Sequence, residues 1–190
     1  MENEQDLTIS LSEEKSSLSE RVSHLEKRLD EALMLLADIF LYGKLKELLA
    51  ANKWKEADLE TTRVMIEITG KPSIEEITPE DLKTFPCNAI MVIDQLWTHY
   101  SNNRFGFSTQ LRLYQSLGGN MDTIRAQQNE FLHCTSEKIG WRKDGRLIEY
   151  DEFDFSLNAS EASLPGNWWH SPYGAKMANF FLARLIACEI

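Results

Sequence analysis

The first apolar pattern along the chain is a seam of seven-residue repeats. Apolar residues recur in alternating steps of four and three, at Leu18, Val22, Leu25, Leu29, Ala32 and Leu36. Mixed charges stand between them, which is the arrangement of a coiled-coil helix. We therefore expect residues 1–38 to form an N-terminal coiled-coil helix, and residues 11–36 to hold a homodimer together. The alternative is a single amphipathic helix that packs on its own domain.

From residue 39 onward the pattern becomes that of a helical domain. Residues 41–49 and 53–70 carry apolar side chains at helical spacing, and Asn52 and Gly70 end the two stretches. Two helices with so short a connection predict a helical hairpin. Thr78 then precedes a proline and two acids, which is typical of the start of a short helix.

Most of the later segments are helical as well. Residues 88–100, 111–117 and 175–188 have apolar residues at helical spacing, and Ser108 is the predicted N-cap of the second of these. Alternation across residues 140–155 around a Lys-Asp-Gly turn predicts at most one small β-hairpin. The fold class is mainly α: a compact all-helical domain over residues 39–190, preceded by a coiled-coil helix.

Charge and cysteine content narrow the possible functions. The net charge is −10, which opposes binding to nucleic acids, and no apolar run is long enough to span a bilayer. Residues 1–38 hold ten acidic and four basic side chains, so the other 152 residues carry only −4. Cys87, Cys134 and Cys188 are too few and too scattered for a disulfide framework, and we expect buried free thiols.

No set of residues for catalysis can be assembled, so we do not expect an enzyme. His99, His133 and His170 lack the spacing of metal ligands, and none is paired with a nucleophile and an orienting acid. The pair of glycines at 118–119 lacks the lysine of a phosphate-binding loop. A hydrolase or transferase is therefore disfavoured.

Aromatic residues at segment ends and in loops are the feature that stands out. Core packing is the simplest interpretation of Trp97, Phe107 and Trp141. Trp168 and Trp169 differ because they follow Pro-Gly-Asn in a loop, where two adjacent indoles are costly to expose. This loop is expected to cover something flat and apolar, or to dock on a partner.

Several motifs are spread over the second part of the chain. They are the run LKELLAANKWKEADLETT at 45–62, FPC at 85–87, IDQLW at 93–97, YSNNRFGFSTQ at 100–110, GW at 140–141 and LP at 164–165. Together they closely resemble the genomes-uncoupled-type tetrapyrrole-binding domain of cyanobacteria and plastids. The resemblance covers roughly residues 41–188, and the SNNRFGFS run is its most specific part.

The resemblance implies a non-catalytic regulator that binds a porphyrin on an apolar concave face. The implied ligand is protoporphyrin IX or Mg-protoporphyrin IX, or a bilin, and no covalently bound cofactor or metal is implied. The family is known for regulating magnesium chelatase in chlorophyll biosynthesis, so a chelatase subunit is the implied protein partner. The implied location is the cyanobacterial cytoplasm or the plastid stroma. The alternative is a sensor or protein-interaction module, oligomerised by the coiled coil, that binds no pigment.

Candidate pocket residues follow from the resemblance by position. They are Ile77, Leu82, Phe85, Trp97, Tyr100, Leu164, Trp168, Trp169, His170 and Lys176. The two indoles would close the pocket, whereas Phe105 and Phe107 match the family motif but are expected to be structural. Ser163 stands where the family loop has a histidine, and Ile148 and Tyr150 stand where it has tryptophans. This leaves His170, Lys176 and Arg184 as the cations that could meet the porphyrin propionates.

Overall fold

The computed structural model describes residues 18–29 and 39–190. They belong to two units: residues 18–29 and 39–43 lie in the first, and Lys44–Ile190 forms the second. In the first unit residues 18–29 are helical, and the seam residues Leu18, Val22, Leu25 and Leu29 are 47–61% exposed. Ala32 and Leu36, the other two seam positions, lie outside the described residues. Residues 39–50 are again helical and are called α1.

The second unit is mainly helical with one small hairpin, as predicted. Its helices are α2 (Trp54–Thr69), α3 (Pro79–Lys83), α4 (Cys87–Tyr100), α5 (Phe107–Ser116), α6 (Met121–Arg125), α7 (Glu130–Lys138) and α8 (Ala175–Ala187). Strands β1 (Arg142–Lys143) and β2 (Arg146–Leu147) pair antiparallel, with Arg142 opposite Leu147. Three 3-10 turns cover Ile74–Glu76, Tyr150–Glu152 and Asn167–His170.

Local sequence explains where several of these elements begin and end. Thr78 caps α3 as predicted: its hydroxyl accepts the Asp81 N–H at 3.3 Å, while the Asp81 carboxylate accepts the Thr78 N–H at 2.8 Å. Gly70 ends α2 in the left-handed conformation that favours glycine. The hairpin turn uses Asp144 and Gly145, both at positive φ, as a two-residue turn requires.

The start of α5 differs from the prediction. The N-cap is Gly106 and not Ser108, whose N–H is instead accepted by the Asp94 carboxylate of α4 at 2.8 Å. Gly106 has a φ of 131°, and a Cβ there would lie 2.7 Å from Asp94 Oδ1. Because the capping acid comes from a neighbouring helix, the sequence next to α5 does not reveal it.

The last helix, α8, is central to the second unit. It packs against α3, α5 and α6, and buries Met177, Phe181, Leu182 and Leu185 among them. A second group of buried rings is formed by Trp54, Trp97 and Phe105, with centroids 5.6–6.4 Å apart. This packing fixes the ends of α3 and α8, between which the candidate site lies.

The cysteines contradict the expectation of buried free thiols. Cys87 and Cys188 form a disulfide with Cα atoms 5.4 Å apart, and Cys134 is exposed. The two bonded cysteines are 101 residues apart, so nothing in their spacing suggested the pairing. The bond ties the start of α4 to the end of α8, next to the hydrogen bond from Arg184 Nε to the Phe85 carbonyl at 2.8 Å.

We expect the variant Cys87→Ser to be less stable by about 3–5 kcal/mol, because opening a loop of this length restores conformational entropy to the unfolded chain. Urea unfolding under non-reducing conditions measures the difference, and Cys134→Ser is the matched control. Equal stability of Cys87→Ser and the unsubstituted protein would show that this bond does not form in solution.

Candidate functional site

Three of the predicted pocket residues meet at one narrow space, which we call the Trp168 gap. Ile77, Leu82 and Trp168 line it, and the other lining residues are Thr62, Met65, Ile74 and Met177. Its volume is about 10 Å³, room for one water at most. The open concave face implied by the resemblance is therefore absent from this part of the described structure, because the protein's own side chains fill it.

A buried carboxylate holds the loop that roofs this gap. Asp58 of α2 has no exposed surface, and its two oxygens lie 3.0 Å from the Gly166 N and 3.1 Å from the Asn167 N. The Tyr150 hydroxyl donates to the same carboxylate at 3.3 Å. Beside it, the Asn167 amide donates to Thr62 Oγ1 at 3.0 Å. The chain just before Trp168 is therefore fixed to α2 by backbone hydrogen bonds to one acid.

Burial changes the acidity of this group. Loss of hydration raises the pKa of Asp58 to about 7, and the bonds from Gly166, Asn167 and Tyr150 oppose that rise only in part. Burial of the Tyr150 ring, together with the charge of the Asp58 carboxylate to which its hydroxyl donates, raises the pKa of Tyr150. Asp58 was missed in the sequence, although it lies four residues after Trp54 and seven before Met65, on the apolar stripe of α2. An acid on a buried stripe is the signal that could have found it.

Aromatic packing supports the rest of the loop. Trp141 stacks on Phe153 with centroids 6.0 Å apart, and Tyr150 packs on Phe153 at 5.5 Å. Ile148 packs against the same cluster, which also buries Ile139 and Ala162. Gly166 is required here, since a Cβ would lie 2.6 Å from the Phe153 ring. Residues 139–170 therefore fold back on themselves around a small core of their own.

Two buried polar atoms on the roofing loop have no hydrogen-bond partner among the described residues. They are the Trp168 Nε1 and the Ser163 Oγ. Trp141 Nε1 donates to the Ser163 carbonyl at 2.9 Å, so only the side chain of Ser163 is unsatisfied. Each such atom costs about 1–3 kcal/mol in the closed arrangement. A ligand or a moved loop could satisfy them.

Four of the other predicted pocket residues lie elsewhere. Trp97 and Leu164 are fully buried, and Trp97 Nε1 donates to Thr61 Oγ1 at 2.9 Å, which fits the core interpretation of this tryptophan. Phe85 is buried, with its carbonyl bonded to Arg184. Tyr100 is half-buried, and its ring centroid lies 4.8 Å from that of His99. None of the four lines the Trp168 gap.

Phe105 and Phe107 are buried, as expected for structural residues.

The last three predicted residues surround the end of the roofing loop. Trp169 lies next to Trp168 but turns to another groove, where its Nε1 donates to Gln110 Oε1 at 3.2 Å. His170 packs on Phe153 at 5.4 Å, and partial burial lowers its pKa although Glu149 raises it. Lys176 is exposed, with its Nζ 5.9 Å from the Phe180 centroid. The lowered pKa disfavours the charged form of His170, and Lys176 is the next cation along the chain.

Among residues 18–29 and 39–190, no three His, Cys, Asp or Glu side chains come together as metal ligands would. None of the described helices is both long and apolar enough to cross a membrane.

The fold and the site define a class of small, mainly helical domains in which a long aromatic loop folds back over the last helix. The ligand-free structure of Arabidopsis thaliana GUN4 matches this fold with a TM-score of 0.58 and 25% identity, over 75% of this chain and 94% of that one. The structure of GUN4 from Chlamydomonas reinhardtii, at 23% identity, shares the fold with a TM-score of 0.55, over 74% and 85% of the two chains.

Sequence comparison gives the family. The family described as GUN4-like matches residues 37–177, so the chain belongs to the GUN4-like family. The chloroplastic tetrapyrrole-binding protein of Arabidopsis thaliana is 26% identical over 128 residues, which are 62% of this chain and 44% of the relative. The Ycf53-like protein of Synechocystis is 28% identical over 127 residues, 65% of this chain and 50% of the relative. The chain thus spans about half the length of the curated relatives it matches.

We expect Asp58 to make the domain less stable as the pH rises from 4 to 7. Its pKa is about 7 in the folded protein but near 3.8 in the unfolded chain, so the folded state binds the additional proton. The stabilisation is complete below pH 4 and is lost as the pH rises through 7, with a total of about 4 kcal/mol.

The variant Asp58→Asn isolates this contribution, because it keeps an acceptor oxygen and cannot ionise. Urea unfolding at several pH values should give a difference between the two proteins that changes across this window. A constant difference from pH 4 to pH 7 would mean that the carboxyl group of Asp58 does not titrate there.

Proposed function

We propose that this protein is a non-catalytic tetrapyrrole-binding regulator. Membership of the GUN4-like family and the printed name of the Arabidopsis relative support the ligand class. The observation that carries the proposal is the Trp168 gap: an apolar slot between α2, α3 and α8, roofed by an indole whose Nε1 has no partner among the described residues. A flat apolar ring is the kind of ligand that such a slot accepts once its roof lifts.

Binding requires the loop that carries Trp168 to move. Ligand pockets usually have volumes of about 300–1,000 Å³, far above the 10 Å³ of the closed gap. The Asp58 bonds hold the loop at Gly166 and Asn167, so we propose that the following turn, Asn167–His170, swings outward while its start stays attached. The unpaired Trp168 Nε1 lowers the cost of this movement.

Affinity should depend on both apolar area and charge. A macrocycle that buries about 400 Å² of apolar surface gains about 10 kcal/mol. Association costs at least about 4 kcal/mol of that. The rest corresponds to a dissociation constant of roughly tens of micromolar. Tighter binding needs a cation for the propionates, and we assign this role to Lys176 because the lowered pKa of His170 disfavours its charged form.

The cellular role is proposed from the family alone. We propose that the ligand is protoporphyrin IX, its magnesium form or a bilin, and that the protein acts on magnesium chelatase in chlorophyll biosynthesis. The Arabidopsis relative is chloroplastic, and another comes from Synechocystis, which supports a plastid or cyanobacterial setting.

Titration with deuteroporphyrin should quench the tryptophan emission and saturate. Replacing Lys176 by Gln should weaken binding about 3- to 10-fold, because a propionate loses its charged partner. The dimethyl ester of the same porphyrin, which has no charged propionate, should bind the two proteins equally.

Lys138→Gln, an exposed lysine at the end of α7, is the matched control and should leave both affinities unchanged. A titration without any quenching would reject pigment binding. It would favour the alternative, a protein-interaction module oligomerised through its N-terminal helix.

We also propose that the N-terminal helix joins two copies of this chain. Leu18, Val22, Leu25 and Leu29 form an exposed apolar seam in the described helix 18–29. Ile39, which is 64% exposed, stands three heptads after Leu18 in sequence. An exposed seam with this repeat is the surface that a parallel or antiparallel partner helix covers.

Sedimentation should therefore find the intact protein as a dimer and the variant Leu25→Asp/Leu29→Asp as a monomer, because charges on the seam oppose its burial. Arg28→Asp introduces an acid at an exposed position outside the seam and should remain dimeric. A monomeric intact protein would contradict the proposed dimer.

A further inference from the structure

A second cavity is lined by the end of α3, and we call it the cationic cleft. It has a volume of about 470 Å³, within the usual range for small-molecule sites, and α3, α6 and α8 contribute most of its wall. The four cations that line it are Lys83, Arg125, Lys176 and Arg184. Of the described residues that line the cleft, none is acidic, although the chain as a whole carries a charge of −10.

The floor of the cleft is apolar. Met121, Ile124, Phe180, Ala183 and Ala187 supply it. The Nζ atoms of two lysines lie near the Phe180 ring, Lys83 at 5.0 Å and Lys176 at 5.9 Å from its centroid. Both ammonium groups are therefore held over the floor by cation–π attraction, within reach of one bound molecule.

One guanidinium is fixed in place at the inner end. Arg184 uses its Nε to donate to the Phe85 carbonyl at 2.8 Å, which orients the group and leaves the two outer nitrogens for a ligand. A fixed guanidinium fork matches the geometry of a carboxylate or a phosphate. The disulfide partner Cys188 directly follows Ala187 of the floor, so the end of α8 is held as well.

Acidic residues near the rim of the cleft compete only weakly with a ligand for these cations. Asp122 lies 3.4 Å from Arg125, but the two side chains are 91% and 74% exposed. Glu80 pairs with Lys83 at 2.6 Å and is likewise exposed. Exposed pairs of this kind contribute at most about 1 kcal/mol. A ligand with two anionic groups can displace both of them.

We propose that the cationic cleft binds a compact small molecule that carries two or more anionic groups on an apolar body. The cleft and the Trp168 gap have no lining residue in common, and the cleft does not depend on tetrapyrrole binding. Lys176 lines the cleft and is also the cation proposed above for a propionate. Carboxylates and phosphates share the required chemistry, because both are planar or tetrahedral anions that accept from a guanidinium and an ammonium.

Calorimetric titration with three probes tests the site: benzene-1,3,5-tricarboxylate, adenosine diphosphate and, as a single-charge reference, benzoate. At least one of the two polyanions should bind 10-fold or more tightly than benzoate, and the stronger of the two identifies the anionic group. The double variant Lys83→Gln/Arg125→Gln should weaken that binding by 10-fold or more. These two side chains are more than half exposed, so the fold should be kept, and thermal melting of the variant verifies this.

The deuteroporphyrin titration of the same double variant separates the two sites. Unchanged quenching together with lost polyanion binding supports the cleft as a site of its own. Equal polyanion affinity in the double variant, or no binding of either polyanion to the unsubstituted protein, would overturn the proposal. Because Lys176 is shared, a bound polyanion should weaken deuteroporphyrin binding by no more than Lys176→Gln does. Full competition between the two ligands would overturn the separation of the cleft from the Trp168 gap.

Discussion

The hydrogen bonds from the backbone of Gly166 and Asn167 to the buried carboxylate of Asp58 determine where the longest loop of this domain lies. Two buried N–H groups without this acceptor would cost about 1–3 kcal/mol each, so the loop cannot leave α2 freely. With these two residues fixed, the next one, Trp168, lines the gap together with Ile77 and Leu82 in the closed arrangement. The aromatic cluster around Phe153 then follows, because Tyr150 reaches the same carboxylate from the other side of the loop.

These hydrogen bonds stabilise the closed loop, but they leave some of its buried polar groups without a hydrogen-bond partner. Asp58 is held by bonds to its charged form but is fully desolvated, and the two effects on its pKa oppose each other. On the same loop, the indole of Trp168 and the hydroxyl of Ser163 lack partners among the described residues. We propose that these two unsatisfied atoms offset part of the free energy lost when the turn Asn167–His170 opens, and that ligand binding supplies the rest.

Much of the fold was predictable because its signals are local. The helical hairpin, the capping box at Thr78, the Asp144–Gly145 turn and the final helix all depend on residues close in sequence. The errors were non-local: Asp94 caps α5 from α4, and Cys87 pairs with Cys188 across 101 residues. Within the candidate site, Trp97 turned inward to Thr61, and Trp168 and Trp169 line different grooves although their ring centroids are only 4.3 Å apart. The position of Asp58 on the apolar stripe of α2 indicates burial, but its partners lie 108 residues further along the chain, so the sequence does not show which groups it binds.

The central claim is that a tetrapyrrole enters beneath Trp168. The most direct test is NMR of the five tryptophan indole N–H groups during addition of deuteroporphyrin. The ring current of a macrocycle bound in the Trp168 gap should shift the Trp168 resonance strongly. The Trp97 resonance, whose Nε1 is bonded to Thr61 in the core, should stay in place. An unchanged Trp168 resonance at saturating porphyrin would contradict the account.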